Sequence, residues 1–355
     1  MRIFYHADHY WPHLGGVETL MRFLAEGVVG RGHEVMVIAN RLSGVPDEET
    51  HGGVTIRRLN MNAPLLQKNL PQVVACVKQY ERLRNEFQPD VVHHHFCGPS
   101  AYYAFLHPFA RTITSVHDPL GMTENTFSAR ALKSSQAVVA VSNFVADRCR
   151  ERFPDLKTQL IKNALPAKDL PRTPHAAHSG RFLCIGRMVR DKGFDLALHA
   201  FAQMGGGASL EIIGQGPERP ALMELASQLG IEVSFPGALS DEEVLQRVDA
   251  CAALVMPSRW EECFGLVAFE AMSRGRPVIA ARWGALPEVV LDGVTGLLFE
   301  HENVGDLVEK MSMLRDDPDL CALLGEQAAD APHRFPYARM ISEHLNLYRA
   351  VMEAV

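Results

Sequence analysis

Two carboxylates, a pair of cations and a short run of backbone carry most of the chemistry this sequence can do. Glu262 and Glu270 stand eight positions apart in an otherwise apolar stretch, PSRWEECFGLVAFEAMSRGRPVI (257–279). Leu266, Val267, Ala268, Phe269, Ala271 and Met272 predict a short helix buried on most sides, with Arg274 and Gly275 as its stop. Glu262 then falls on the preceding loop and Glu270 inside the helix, so the two do not share a helical face. The N–H groups of Phe264, Gly265 and Leu266 lie at the helix start, where unsatisfied donors and the helix dipole favour an anion. One acidic group outside the helix and one within it, flanking an anion site, can hold a sugar, a phosphate and a ribose together.

Arg187 and Lys192 lie in GRMVRDKG (186–193), after a strand and before a helix. A planar guanidinium and a mobile ammonium at a strand's carboxyl end suit a diphosphate better than two stray surface charges. Arg190 and Asp191 between them read as solvated. Gly15 and Gly16 precede a helix and resemble a phosphate-approach turn, with a plain tight turn as the competing reading. Without GxGxxG spacing they do not make a dinucleotide site. His117 ends the strand SVHD, where a hydrogen-bonded structural role competes with a catalytic one.

His93, His94 and His95 invite a metal, but strand neighbours point to opposite faces. His93 and His95 share a face without an acidic or thiol partner in register, so no metal site is expected. Asp317 and Asp319 have the DxD spacing of metal-dependent sugar transferases, yet RDDPD reads as a helix cap. Glu262 and Glu270 could form a glycosidase pair. A hydrolase, however, has no use for an Arg/Lys grip and anion-binding turns.

The elements that position these groups alternate strand and helix, which predicts α/β architecture with parallel sheets. RIFYHA (2–7), EVMVIAN (34–40), VTIRRLN (54–60), VVHHH (91–95), RTITSVHD (111–118), AVVAVS (137–142) and KTQLIKNAL (157–165) read as strands of a first domain, 1–165. Helices are expected over about 17–31 and 70–87. PAKDLPRTPHAAHSG (166–180) is a Pro-rich linker. RFLCIG, SLEIIG, VSFPG, AALVMPS and PVIAA then build a second domain, 181–335, and 336–355 form a last helix expected to pack back on the first. Two Rossmann-like, doubly wound halves facing an interdomain cleft follow, with ligands beyond the carboxyl ends of the strands. Gly15, Gly16, His117, Asp118, Arg187, Gly214 and Glu262 all fall there.

At 355 residues the chain suits two domains, and its 47% hydrophobic and 22% charged fractions are those of a globular protein. The net charge of −7 divides unevenly: residues 1–165 carry 18 Lys and Arg against 15 Asp and Glu, the remainder 17 against 27. That balance argues against nucleic-acid binding and leaves a mildly basic first half to meet an anionic surface. No apolar run approaches the roughly 18 residues that span a bilayer. The N-terminus reads as a first strand rather than a signal peptide. Seven scattered cysteines without CxxC spacing read as reduced thiols, and a cytoplasmic location is expected.

With these residues assembled, the chain resembles a retaining GT-B glycosyltransferase of the family 4 type, the bacterial glycosyltransferase group 1. That large family includes sucrose and glycogen synthases. The resemblance covers nearly the whole chain. PSRWEECFGLVAFEAMSRGRPVIA is similar to the family's Glu-x7-Glu signature, and GRMVRDKG, GQGP (214–217), FPGAL (235–239) and ALPEVVLDGVTGLLF (285–299) follow in the family's order.

The resemblance implies that Glu262 contacts the donor sugar, with Cys263 nearby, and that Phe264, Gly265 and Leu266 give backbone N–H groups to sugar and phosphate. Glu270 would hold the ribose. Arg187 and Lys192 would stabilise the leaving diphosphate, and Gly15 and Gly16 would approach it from the first domain. His117 would lie beside the anomeric carbon. Gly237 and Leu239, in the segment Phe235–Leu239, would meet the base. Three places depart from the family pattern: Asn163 and Ala164 for the usual Asn-Gly, Gly284-Ala285-Leu286 for Gly-Gly, and Trp260 with Cys263 where small residues are usual.

The implied reaction is retaining, metal-independent transfer without a cofactor, from a UDP-sugar ahead of a GDP-sugar, by front-face displacement. A sugar-nucleotide epimerase of the same fold and a non-catalytic nucleotide-sugar-binding protein are the rivals. The acceptor would be a sugar, a lipid-linked glycan or a small molecule, met by Tyr10, Trp11, His13, Phe96 and Asp118. Met61, Leu65, Leu66, Tyr102, Tyr103, Met122 and Phe127 offer further apolar contacts. Arg57, Arg58 and Lys68 beside Leu65 and Leu66 point to peripheral membrane contact through the N-terminal domain at the inner face of the membrane.

Overall fold

The computed structural model describes residues 1–13, 15–95, 98–106, 108–118, 127–166 and 176–354, the side chains of residues 127, 128 and 178 excepted. The chain divides into two compact units, Met1–Pro166 with Phe335–Val355, and Ala167–Arg334. Most of the expected linker, 167–175, lies outside the described residues.

The first unit holds strands β1 (Arg2–Ala7), β2 (Glu34–Asn40), β3 (Glu48–His51), β4 (Val54–Leu59), β5 (Val91–His95), β6 (Thr112–Val116), β7 (Ala137–Ala140) and β8 (Thr158–Leu160). They form one sheet in the order β3-β4-β2-β1-β5-β6-β7-β8. Every pairing is parallel except β3 with β4. β5, β6 and β7 are buried at every position, as parallel strands covered on both faces must be. β3, EETH, is an addition to the expected set. It is an edge strand with no buried residue, so no apolar run announces it.

The expected first helix runs Gly16–Val29 and stops at Gly30, whose N–H bonds the Glu26 carbonyl at 2.8 Å. The helix Leu70–Phe87 starts where the Asn69 side chain accepts from the Gln72 N–H at 3.3 Å. The last helix, Tyr337–Glu353, lies in this first unit. Tyr337 donates to the Phe23 carbonyl at 2.5 Å, and Met340, Ile341, Leu345, Tyr348 and Val351 are buried.

The second unit holds β9 (Arg181–Ile185), β10 (Ser209–Ile213), β11 (Val233–Gly237), β12 (Ala253–Met256), β13 (Val278–Ala281) and β14 (Gly296–Phe299). Their order, β11-β10-β9-β12-β13-β14, is parallel throughout. β14 is a further addition to the expected strands; it is four buried residues, too short to show a period. Asp317 caps the helix Pro318–Ala328 by accepting from the Leu320 N–H at 2.9 Å, which accounts for the DxD spacing. In each sheet the strand order reverses once, between β1 and β5 and between β9 and β12. Those reversals are where doubly wound sheets open a crevice for ligands. Among the described residues, no helix is long and apolar enough to cross a membrane.

Candidate active site

At the reversal of the second sheet, the loops after β9 and β12 are joined through backbone. Asp191 offers its carbonyl to the N–H groups of Arg259 at 2.8 Å and Trp260 at 3.1 Å. Gly193 closes the turn at φ 65°, and a Cβ there would lie 2.0 Å from the Pro257 carbonyl oxygen. Only glycine permits that approach. Arg259 ties the junction from outside, with both carboxylate oxygens of Asp195 at 2.6 and 2.7 Å and Glu302 at 2.7 Å. These contacts raise the Arg259 guanidinium further above its already high value and hold the Asp195 carboxyl low despite its burial.

The junction brings Lys192 Nζ to 2.5 Å from Glu262 Oε1, while Ser258 donates to the same oxygen at 2.9 Å. The side chains are 27% and 13% exposed, so the pair is shielded yet reachable. Behind Glu262, Gly284 at φ 59° leaves its backbone room: a Cβ would sit 2.7 Å from the Glu262 nitrogen and oxygen. Ala285 N–H donates to the Glu262 carbonyl at 2.8 Å. Arg187, on the same loop as Lys192, is exposed and forms no ion pair among the described residues.

Phe264, 3% exposed, anchors the end of the loop, and the helix Leu266–Ser273 begins two residues later. Cys263 and Leu266 are half-buried. Glu270 projects from this helix in a part-buried position. Desolvation by burial, with the negative charge of Asp241 second, pushes its carboxyl up to about 7. Nearby along the sheet, Gln215, Gly216, Arg219, Pro220, Pro236 and Gly237 line an open hollow of about 510 Å³. Arg219 fixes one wall by donating to the Phe235 carbonyl at 3.0 Å. Leu239 is half-buried just beyond that wall. The unit thus gathers Arg187, Lys192, Glu262 and the helix start on loops after β9 and β12, with Glu270 inside the following helix.

At the reversal of the first sheet, His95 ends β5 and His117 follows β6. His95 Nδ1 lies 3.1 Å from His117 Nε2, and burial lowers the His117 imidazole to about 4. Asp118 is half-buried beside it. Gly15, in extended conformation, caps the first helix and accepts from the Thr19 N–H at 3.0 Å; Gly16 is exposed at its first position. Trp11 stacks on His51 at 4.5 Å, and His13 stacks on His9 at 4.4 Å while facing Glu18 at 3.4 Å. Phe96 and Met122 lie outside the described residues, as does the side chain of Phe127.

Residues 14–168 match the profile of glycosyltransferase family 4, and residues 168–331 that of glycosyl transferases group 1. N-acetyl-alpha-D-glucosaminyl L-malate synthase of Bacillus anthracis is 24% identical over 370 residues, covering 96% of each chain. Among solved structures, sucrose-phosphate synthase from Thermosynechococcus elongatus superposes with a TM-score of 0.85 at 22% identity, over 100% of both chains. HepE of Anabaena, in complex with UDP and glucose, gives 0.79 at 20% identity over 99% of this chain and 100% of its own. The fold is GT-B. The chain belongs to the group 1, family 4 type of glycosyltransferases, enzymes that take a sugar from a nucleotide-sugar donor.

Several expected acceptor contacts are core side chains instead. Tyr10 is 3% exposed, and Met61 and Tyr103 are fully buried, with the Tyr103 hydroxyl donating to the Met61 carbonyl at 3.0 Å. Arg58 does not face a membrane: it is 2% exposed and its guanidinium holds the Trp11 and Pro46 carbonyls and Glu49. Arg57 pairs with Glu48 at 2.7 Å. Ser258, which bonds Glu262, and the Arg259–Asp195 clamp have no signature in the sequence. No spacing could have revealed partners 64 positions apart. His93 and His95 do share a face, with ring centroids 3.9 Å apart, and bond Tyr348, Ser115 and His117.

Proposed function

We propose that this glycosyltransferase moves a sugar from a UDP-sugar, with GDP-sugars next in line, to a hydroxyl of a sugar, lipid-linked glycan or small-molecule acceptor, with retention and without a metal or cofactor. The observation that carries the reading is the joined loop pair at the reversal of the second sheet. It sets the Lys192–Glu262 pair and the exposed Arg187 beside a helix start, on a chain whose two halves match glycosyltransferase profiles. The UDP preference draws on the UDP and glucose held by HepE.

In this reading Arg187, Lys192 and the N–H groups of Phe264, Gly265 and Leu266 receive the diphosphate, with Gly15 and Gly16 as a further backbone approach. Glu262 accepts from sugar hydroxyls, Cys263 lies alongside, and Glu270 accepts from the ribose. The base lies at the hollow by Gly237 and Leu239. The acceptor hydroxyl attacks the anomeric carbon on the face the diphosphate leaves. The breaking C–O bond gives its electron pair to the departing phosphate oxygen, which takes the acceptor's proton. Arg187 and Lys192 stabilise the charge that develops there, and His117 bonds the transferring sugar.

Trp11, His13 and Asp118 are the acceptor-side residues that the fold leaves part-exposed. A lipid-linked acceptor draws support from Leu66 and Leu70, 72% and 70% exposed on either side of Lys68. Flotation with anionic vesicles tests that branch, and failure to float removes it.

The primary test is a thermal-shift panel of UDP, GDP, ADP and their sugar conjugates on the wild type and Arg187→Ala. A ligand at a hundred times its dissociation constant adds about 2.7 kcal/mol. Stabilisation by uridine nucleotides, weakened in the variant, is expected; no response to any nucleotide overturns the reading. The anomeric configuration of the product, read by NMR, tests retention.

A further inference from the structure

The parallel pairing of β13 with β14 carries past the ends of both strands. Ala281 is in register with Phe299, and the Arg282 N–H donates to the Phe299 carbonyl at 2.8 Å. One step further, Arg282 meets Glu300 at 3.1 Å and holds Asp292 at 2.7 Å. At the next step Trp283 and His301 stack face to face, with ring centroids 4.4 Å apart and 14° between their planes. The imidazole covers one side of the indole, so the 36% of Trp283 that is exposed belongs to the opposite face and the rim.

This stack is fastened to the Glu262 loop from two directions. Trp283 precedes Gly284, where a Cβ would sit 2.7 Å from the Glu262 nitrogen and oxygen. His301 precedes Glu302, which holds Arg259 at 2.7 Å. An indole held in one plane offers flat apolar area with little side-chain freedom left to lose on binding. The surroundings select what it can take. Two carboxylates stand on the one guanidinium of Arg282, so this rim does not attract a phosphate. The hollow at β10 and β11 is separated from β13 by β9 and β12, about 14 Å of sheet, so a nucleobase resting there does not reach the indole. Beside Glu262 the rim suits a neutral ring with an apolar face and a polar edge. A pyranose is such a ring: its C–H hydrogens are drawn to the negative face of an aromatic, and its hydroxyls stay at the edge.

We propose that Trp283, backed by His301, is a sugar platform that stacks on the C–H face of a pyranose ring beside Glu262. That ring is the transferring hexose of the donor or a sugar of the acceptor, since both present the same face. The inference rests on the reading that Glu262 meets sugar hydroxyls, and it makes Trp283 a specificity-determining residue. A ring with an unbroken C–H face is favoured over one whose axial hydroxyls interrupt the stacked side.

The test is the indole 15N–1H spectrum. The chain has three tryptophans, Trp11, Trp260 and Trp283, and Trp283→Tyr assigns the signal in question. The probes are UDP, GDP, UDP-glucose and GDP-mannose, and methyl α-glucoside and methyl α-mannoside with and without UDP. The Trp283 signal should move with sugar-bearing probes and stay in place with UDP or GDP alone. Movement with the nucleotide sugars assigns the ring to the donor, and movement with the glycosides assigns it to the acceptor. Movement with bare nucleotide to the same extent, or with no probe at all, overturns the proposal. Trp283→Ala should weaken binding of the responding sugar probe roughly three- to tenfold and leave bare nucleotide affinity unchanged. Trp283→Tyr keeps a flat ring, should lose less than about twofold, and keeps the test open if the Ala variant fails to fold. A sugar affinity unchanged in Trp283→Ala also overturns the proposal. Glycoside binding at Trp283 in a protein that binds no nucleotide supports the platform and counts against the nucleotide-sugar reading alone.

Discussion

At the carboxyl end of the second sheet the functional groups are charged, paired and partly open to solvent. At the corresponding end of the first sheet they are imidazoles and phenols, neutral and buried. Lys192 and Glu262 keep 27% and 13% of their side chains exposed, and Arg259 holds its loop with three carboxylate contacts. His93, His95 and Tyr348 are 0–2% exposed and are held by hydrogen bonds and ring contacts rather than ion pairs. In the proposed reading the difference matches the task given to each. In the proposed reading a leaving diphosphate needs fixed positive charge at the moment of bond breaking, and Lys192 is fixed by its ion pair with Glu262 on the joined loops. Orienting a neutral sugar needs a donor and an acceptor in fixed places, which a dry hydrogen-bond chain provides without ionisation.

If rigid backbone is what holds the charged site, its glycines should be its weakest points. Gly193→Ala puts a Cβ 2.0 Å from the Pro257 carbonyl at a φ of 65°, so the turn and the strand end after β12 cannot both keep their places. A loss of about 3–4 kcal/mol is expected from strain and displaced packing, read by urea unfolding. A loss below about 1 kcal/mol would show that the junction yields, and the contrast with the first sheet would weaken.

Next in size is Lys192→Ala. It leaves Glu262 with Ser258 as its remaining side-chain partner and, in the proposed reading, removes a charge from the diphosphate. A fall in kcat/KM of about a hundredfold, roughly 2.7 kcal/mol, is expected. If KM alone rises, Lys192 binds the ground state and the leaving-group role passes to Arg187.

The first sheet breaks differently. Tyr348→Phe removes the hydroxyl that Tyr5 and His93 share, leaving buried polar atoms unmet at a cost of about 2 kcal/mol. Its thermal shift with nucleotide should equal that of the wild type, because the loss falls on stability. A weakened shift would mean that the buried network reaches the nucleotide.

The same contrast explains what could be read from the sequence. Strand ends, the helix Leu70–Phe87 and the 257–279 stretch were legible because apolar period and cap residues are local signals. The charged site was legible in part: Arg187, Lys192, Glu262 and Glu270 lie near strand ends, but the Arg259–Asp195 clamp joins residues whose separation carries no pattern. The buried network was nearly invisible. His93 and His95 could be assigned to one face, but Tyr5 and Tyr348, 343 positions apart, meet only in the fold. Arg58 and Tyr103 misled for the opposite reason, since a cation and an aromatic near loops look exposed until the fold buries them.

Glu270 stands between the two regimes: a carboxyl in the charged unit, but buried enough to be pushed up to about 7, with Asp241 adding to the effect of desolvation. The sign of its contribution follows from proton counting. Between the usual carboxylate range and about pH 7 the folded protein holds a proton that the unfolded chain has released, so this group's contribution to stability falls as pH rises through that window. Above it, the fold carries a buried negative charge near another. Glu270→Gln should therefore be more stable than the wild type at pH 8, by about 1–2 kcal/mol, and close to it at pH 4. Urea unfolding at both pH values measures this. If Glu270 holds the ribose as proposed, nucleotide affinity should move the other way, because the ionised carboxylate is the stronger acceptor for the ribose hydroxyls. Wild-type binding should strengthen as pH rises to about 7 and then level off, while the Gln variant binds more weakly and without that rise. A variant that gains stability at pH 8 yet binds nucleotide like the wild type would leave Glu270 as a strained core residue with no part in holding the ribose.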